Sequence, residues 1–399
     1  MTWNSHVAEP GRDARRTSLR ELAGLFLKLG TIGFGGPAAH IALMESEVVG
    51  RRRWLTREQF LDYVGATNLI PGPNSTELAI HIGHARAGWS GLLVAGACFI
   101  LPATLIVLVV AWAYVRWGAL PEATSLLYGI KPVVIAIIAQ ALWRLGRTAL
   151  RTTALAVLGI AAVVAVALGL NELLVLFCAG AIMALGRVSR ARAAWLALPF
   201  AHGFTGDARV PLIALGALAA TPVKLWTLFG VFVKAGAILF GSGYVLFAYL
   251  RADLVHRLEW LTEVQLIDAI AVGQVTPGPV FTTATFIGYV LAGVPGAVIA
   301  TVGIFLPAFV FVAASGPIVP RLRRSPTAAA VLDGVNVASL ALMAVVTFHL
   351  ALTALVDPLA FILVAVSLVL LIRFRVNPAW LVPGGALVGV LAAAIDRGA

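Results

Sequence analysis

Two lysines, two aspartates and two Pro-Gly-Pro tripeptides are the residues whose types and spacing could do chemistry in this chain. Lys28 and Lys234 each lie inside an apolar run. A charge at the centre of a membrane helix costs at least about 2.5–3.5 kcal/mol, so such a residue marks a candidate site. The alternative is a long stem that carries its ammonium out to the headgroups. Pro71-Gly72-Pro73 and Pro277-Gly278-Pro279 cannot continue a helix, because proline has no N–H and its ring clashes with the preceding turn. Gly33, Gly35, Gly36 and Pro37 interrupt one apolar run, and Gly241-Ser242-Gly243 another. Broken helices of this kind expose N-terminal amides that favour anions. Packing glycines and mechanical kinks are the plainer reading of the same residues. Asn68, Asn74, Ser75 and Thr76 flank the first tripeptide, and Gln274, Thr276, Thr282, Thr283 and Thr285 the second. Such neutral groups can stand in for a hydration shell or bond between helices. Asp62 and Asp268 are candidates for proton coupling, or for capping and pairing with basic loops. Glu77, His81 and His84 have no counterparts of their own type in the second half; they could create asymmetry in coupling, but a loop-facing role is the one expected for them.

The elements that position these residues occur twice. Residues 26–73 and 232–279 align without a gap at a constant offset of 206, Lys28 on Lys234, Gly30 on Gly236 and Asp62 on Asp268. Trp54-Leu55-Thr56 falls on Trp260-Leu261-Thr262, and each Pro-Gly-Pro falls on the other. One residue is then lost, so that Gly83, Gly88, Gly91 and Leu101-Pro102 match Gly288, Gly293, Gly296 and Leu306-Pro307 at an offset of 205. The chain is a tandem duplication. It is expected to comprise a segment 1–20, a first repeat 21–195, a connection 196–225 and a second repeat 226–396.

Composition decides the solvent. Of 399 residues, 60% are hydrophobic and only 12% charged, about half the charged fraction of a soluble domain. The mean hydropathy is +0.96. Apolar stretches near 91–115, 124–143, 152–169 and 172–186 recur as 296–316, 328–355, 358–372 and 379–395, and a bilayer span needs about 20 residues. The net charge of +11 sits mostly in short arginine runs between these stretches, the pattern of cytoplasmic loops rather than of a nucleic-acid surface. Around the first repeat the loops carry Glu122, then Arg144, Arg147 and Arg151, then Glu172, then Arg187, Arg190 and Arg192. The matching loops of the second carry Arg321, Arg323 and Arg324, then Asp357, then Arg373 and Arg375, then a mixed end. The sign inverts, so the halves are expected to insert in opposite orientation, an arrangement with a substrate site where the repeats meet. The fold class expected is an all-α polytopic membrane protein of two inverted-topology repeats with broken or re-entrant helices. Inversion requires a crossing within 193–225. A re-entrant 22–88 would keep residues 51–57 and Arg86 at one face. No apolar segment precedes a cleavage site in residues 1–20, so the first apolar segment is expected to direct insertion. Cys98 and Cys178 lie in apolar stretches and suggest neither a disulfide framework nor a metal site.

At these residues the sequence resembles the chromate transporter family, in particular its long two-domain members. The resemblance rests on FLKLGTIGFGGP (26–37), RRRWLTREQFLDYVGATNLIPGPNSTELAIHIG (51–83) and FILPATLIV (99–107), with second copies FVKAGAILFGSG (232–243), EWLTEVQLIDAIAVGQVTPGPV (259–280) and FLPAFVFV (305–312). It implies a bacterial cytoplasmic-membrane protein that exports chromate and confers resistance. By resemblance, functional weight falls on Lys28, Gly35, Gly36, Asn68, Pro71, Gly72 and Pro73, and on Lys234, Gly241, Gln274, Pro277, Gly278 and Pro279. Thr76, Ser242 and Thr276 join them as candidate anion contacts. The second copy has Ser242-Gly243 where the first has Gly36-Pro37, which breaks exact equivalence of the two sites. Sulfate, with the same shape and charge, is the closest alternative substrate. No cofactor is implied. The partners implied are the anion and membrane lipid, with a homodimer left open and no nucleic acid. An intramembrane hydrolase would need a zinc motif or paired catalytic groups, and no H-E-x-x-H is present.

Overall fold

The computed structural model describes residues 17–34, 36–118, 120–192, 224–239, 245–323 and 325–398. The segment 1–16, the crossing expected within 193–225, and Gly35, Gly241, Ser242 and Gly243 lie outside the described residues. Every regular element among the described residues is helical. The first half contains α1 (Leu19–Ile32), α2 (Gly36–Glu45), α3 (Arg57–Thr67), α4 (Asn74–Trp117), α5 (Pro121–Ala149), α6 (Thr153–Ala167) and α7 (Glu172–Arg192). The second repeats them as α8 (Leu225–Ile238), α9 (Leu246–Leu250), α10 (Glu263–Val275), α11 (Thr283–Arg323), α12 (Pro326–Ala354), α13 (Pro358–Ile372) and α14 (Pro378–Gly398). Four of these contain stretches long and apolar enough to cross a membrane, namely α4, α5, α11 and α12. Large apolar side chains such as Ile160, Phe177, Phe361 and Leu387 face outward, which suits lipid rather than water. The chain is a multi-pass membrane protein.

Local chemistry explains where the helices start and break. Thr56 and Gln59 form a reciprocal capping box at the head of α3, and Thr262 with Gln265 forms the same box at α10, satisfying two otherwise orphan amides each. Just before these boxes Arg53 and Glu259, equivalent residues, take left-handed φ of 51° and 53°. In α4 the helical conformation fails at Ala87 and Gly88, and in α11 at Ala292 and Gly293. Gly88 and Gly293 supply left-handed φ of 63° and 61° that only glycine adopts cheaply. Each helix therefore doubles back. A Cβ at Gly83 would lie 2.3 Å from the Gly91 carbonyl, and one at Gly288 would lie 2.3 Å from that of Gly296. Residues 74–86 and 283–291 are thus short arms folded against long ones.

The same economy governs the first hairpin. Arg52 reaches Glu21 and Lys28 reaches Glu47, so the chain after α2 returns alongside α1. Arg86 donates to Thr17 and to the Trp54 carbonyl, gathering residues 17, 54 and 86 at one end. Between 22 and 88 the chain thus leaves this end and returns to it.

The halves interlock. α5 packs on α13 and α14, while its counterpart α12 packs on α6 and α7. Glycines set the close crossings at equivalent places: a Cβ on Gly129 would strike the Gly385 backbone, and one on Gly334 the Ala179 backbone. Val133, Ala136 and Ile137 of α5 share a buried cluster with Leu371, Leu381 and Val382. Such i-to-j′ and i′-to-j pairing is the signature of a two-fold relation.

Candidate functional site

The tripeptides cross between the halves. Neither proline of a Pro-Gly-Pro has an amide hydrogen, so the central glycine holds its only backbone donor. Gly72 N–H donates to the Leu239 carbonyl at 2.7 Å, and Gly278 N–H donates to the Gly33 carbonyl at 2.8 Å. Leu239 and Gly33 are themselves equivalent residues, each the first beyond the broken helix of its half, where carbonyls lack intrahelical partners. Each loop thus caps the severed helix of the opposite half. Gly72 at φ 139° and Gly278 at φ 92° occupy conformations that exclude a side chain.

Beyond the tripeptides the chain turns back into helix, and the two helix starts converge. Pro73, Asn74 and Ser75 of one half, Pro279, Val280 and Phe281 of the other, and Pro37 line a single cavity of about 20 Å³. That volume is about one water probe, so the junction is closed. Its walls carry the starts of the two helical stretches that follow the tripeptides, ends that bear partial positive charge. His40 tethers the junction: its Nε2 lies 2.9 Å from the Gly33 carbonyl and its Nδ1 3.2 Å from Ser75 Oγ. The carbonyl can only accept, which assigns the ring hydrogen to Nε2.

The remaining candidates divide into those at this junction and those apart from it. Gly36 opens α2 at φ 78°. Asn68, which follows α3, accepts from Asn74 Nδ2 at 2.8 Å and so closes the first loop. Thr76 is fully buried, and neither its hydroxyl nor the buried amide nitrogen of Gln274 has a partner among the described residues. Thr276 ends α10 and donates to the Val272 carbonyl. Thr282 and Thr283 are likewise spent on local carbonyls, whereas Thr285 pairs with Thr301. Neither lysine lines the cavity. Lys28 is held by Glu47 at 2.6 Å and Lys234 by Asp253 at 2.8 Å. The acids lie 19 residues beyond each lysine and are equivalent to one another. Arg51 and Arg257 join them from matching positions. A neighbouring pair keeps its geometry with the signs exchanged, Arg57–Glu45 in one half and Arg251–Glu263 in the other. Glu47 is held below its usual 4.5, chiefly by the Lys28 hydrogen bond. On the second half Lys234 opens into a polar cavity of about 270 Å³ lined also by Glu172, Tyr249, Asp253, His256 and Arg257.

The aspartates part company. Asp62 is exposed. Asp268 is buried, accepts from Tyr114 Oη at 2.9 Å and lies 3.1 Å from Lys131 Nζ, both from the other half. Residue types alone missed Lys131, Glu47, Asp253 and His40. Glu47 and Asp253 were findable, as acids at one offset behind each lysine. Lys131 has Asn336 as its counterpart, so the repeat gave no signal there. Glu77 corrects an expectation: it is fully buried rather than loop-facing, because the arm 74–86 lies inside the molecule. His81 is buried with it, stacked on Tyr63 at 5.5 Å, while His84 stays exposed.

Comparison with known proteins fits this duplicated architecture. A family model described as chromate transporter matches twice, over residues 20–185 and 226–390. The chain belongs to the chromate transporter family. Within that family it is 35% identical to the chromate transport protein of Cupriavidus metallidurans, over 94% of this chain and 93% of that one. It is 32% identical to a probable chromate transport protein of Synechococcus elongatus, over 81% and 82% of the two chains. A chromate transport protein of Pseudomonas aeruginosa is 31% identical over 84% of this chain and 81% of its own. No solved structure matches it. Chromate transporters are transport proteins rather than enzymes.

Proposed function

We propose that this chain carries chromate out across the bacterial cytoplasmic membrane, conferring chromate resistance, with the dianion bound where the two Pro-Gly-Pro loops meet. The observation that carries this reading is the convergence of two helix N-termini, from opposite halves, on one closed cavity. Partial positive charge from both ends, with the unpartnered hydroxyl of Thr76 and amide of Gln274 nearby, suits a tetrahedral oxyanion without burying a full counter-charge. Lys28 and Lys234 then serve the approaches, each a cation that an arriving dianion can share with its resident carboxylate.

The inverted arrangement is part of the proposal. Tyr128, two turns into α5, donates to Asp357 at 2.5 Å, and Asp357 caps the start of α13 in the short turn after α12. The start of α5 therefore lies beside the end of α12, and these equivalent helices run antiparallel, which supports opposite insertion of the halves. The cavity is too small for the anion in this closed arrangement, so passage requires the loops to separate on one side at a time.

Chromate flux into everted membrane vesicles, with sulfate as competitor, tests the reading. Gly72→Ala and Gly278→Ala are expected to abolish flux while leaving insertion intact. Lys28→Gln and Lys234→Gln are expected to reduce it. Undiminished flux in both glycine variants would remove the loops from the pathway, and full inhibition by equimolar sulfate would make sulfate the substrate.

A further inference from the structure

We propose that Glu77 is the proton-binding group of this transporter, protonated as the first Pro-Gly-Pro loop closes over it on the bound anion; this rests on the transport reading above. Glu77 begins the short arm of α4 with none of its surface exposed. Neither carboxyl oxygen has a hydrogen-bond partner among the described residues. The group lies directly beneath Gly72: a Cβ placed there would come within 2.3 Å of Glu77 Oε1. It does not line the central cavity, so it senses the loop rather than touching the anion.

Its surroundings supply no counter-charge. His81 lies one turn on, stacked on Tyr63 of α3, and His40 of α2 is committed to Gly33 and Ser75, while Lys28 of α1 is held by Glu47 and Asp268 of α10 by Lys131. The long arm carries no acidic or basic residue from 89 to 115, and α11 none from 283 to 320. No ion pair among the described residues includes Glu77. A carboxylate enclosed here would have no donor among the described residues, and it would face the negative charge of a dianion at the adjoining helix starts. Opening the loop readmits water and lets the proton leave. Closure on the anion and protonation of Glu77 therefore favour each other, and the linkage is reciprocal. Two threonines, Thr282 and Thr283, stand at the corresponding place in the second half, so the chain has a single such group and the coupling is one proton per closure.

The experiment is proton uptake by the purified full-length protein in weakly buffered detergent solution on adding chromate. It is done at a pH where the free anion is fully deprotonated. The wild type is expected to take up one proton per chromate bound, and Glu77→Gln, which imitates the protonated state, to bind chromate with no uptake. Equal uptake by both proteins overturns the proposal. A wild type that binds no chromate overturns the transport reading, and this proposal with it. Should Glu77→Gln fail to fold, infrared difference spectra of the wild type decide the matter. Chromate should bring up the carbonyl band of a newly protonated carboxylic acid, shifted in Glu77→Asp, and a spectrum without that band overturns the assignment.

Discussion

Breaking the Lys131–Asp268 contact should be among the costliest single changes in the protein. The charges stand 3.1 Å apart on side chains only 19% and 3% exposed, and at an effective dielectric of about 20 they attract by about 5 kcal/mol. Desolvating both ions consumes much of that gain, so the pair adds little net stability, but removing one partner strands the other and costs about 3–5 kcal/mol. Lys131→Met should therefore destabilise by about 3 kcal/mol, the low end of that range, because Tyr114 still donates to Asp268 at 2.9 Å. Asp268→Asn should fall in the same range, since it leaves the ammonium without its carboxylate. The double variant should recover most of the loss, with a coupling energy of about 2 kcal/mol or more. Equilibrium unfolding in mixed detergent micelles measures all three. Losses that simply add to within about 0.5 kcal/mol would mean that the two residues do not meet across the halves, and the interlocked arrangement would be refuted with them.

Other consequences can be checked with the same protein. Gly30→Ala puts a Cβ 2.4 Å from the Phe99 carbonyl, and Gly236→Ala one 2.2 Å from that of Ile304; each should cost about 1–3 kcal/mol by forcing helices apart, seen as a lowered melting temperature. Thr56→Ala and Thr262→Ala each remove a capping box and should cost about 0.5–2 kcal/mol, with amide exchange rising in the first turns of α3 and α10. Glu47 is held below its usual 4.5 by Lys28, so its contribution is complete above that value and disappears as the pH falls through its lower folded-state value. Lys28→Gln should shrink that acid-induced loss and begin it at higher pH, read from melting temperatures between neutral and acid pH.

The duplication was visible in the sequence because identical residues recur at one offset, and the Pro-Gly-Pro breaks because proline chemistry is local. The capping boxes went unread although Thr-x-x-Gln carries a local signal. What the loops bond to was not: Gly72 meets Leu239 and Gly278 meets Gly33 only after the halves have interlocked, and nothing near either tripeptide encodes its partner. The lysines show the intermediate case. Their placement in apolar runs marked them as candidate site residues, but the return of the chain after α2 brings Glu47 back to Lys28, and the second half does likewise with Asp253. Glu77 was mistaken for a loop residue because the hairpin at Ala87–Gly88, which folds its arm inward, is marked by a single glycine.

The exchanged packing of α5 and α12 has a bearing on how the protein is made. Chains are synthesised from the N-terminus, and independent domains fold in that order. Here α5 completes its packing only when α13 and α14 leave the ribosome, and α6 and α7 wait for α12. The first half must therefore sit in the bilayer with unburied contact faces until the last hairpin arrives. A premature stop anywhere before residue 378 would leave an assembly that cannot close, recognisable to membrane proteases by the faces it still displays.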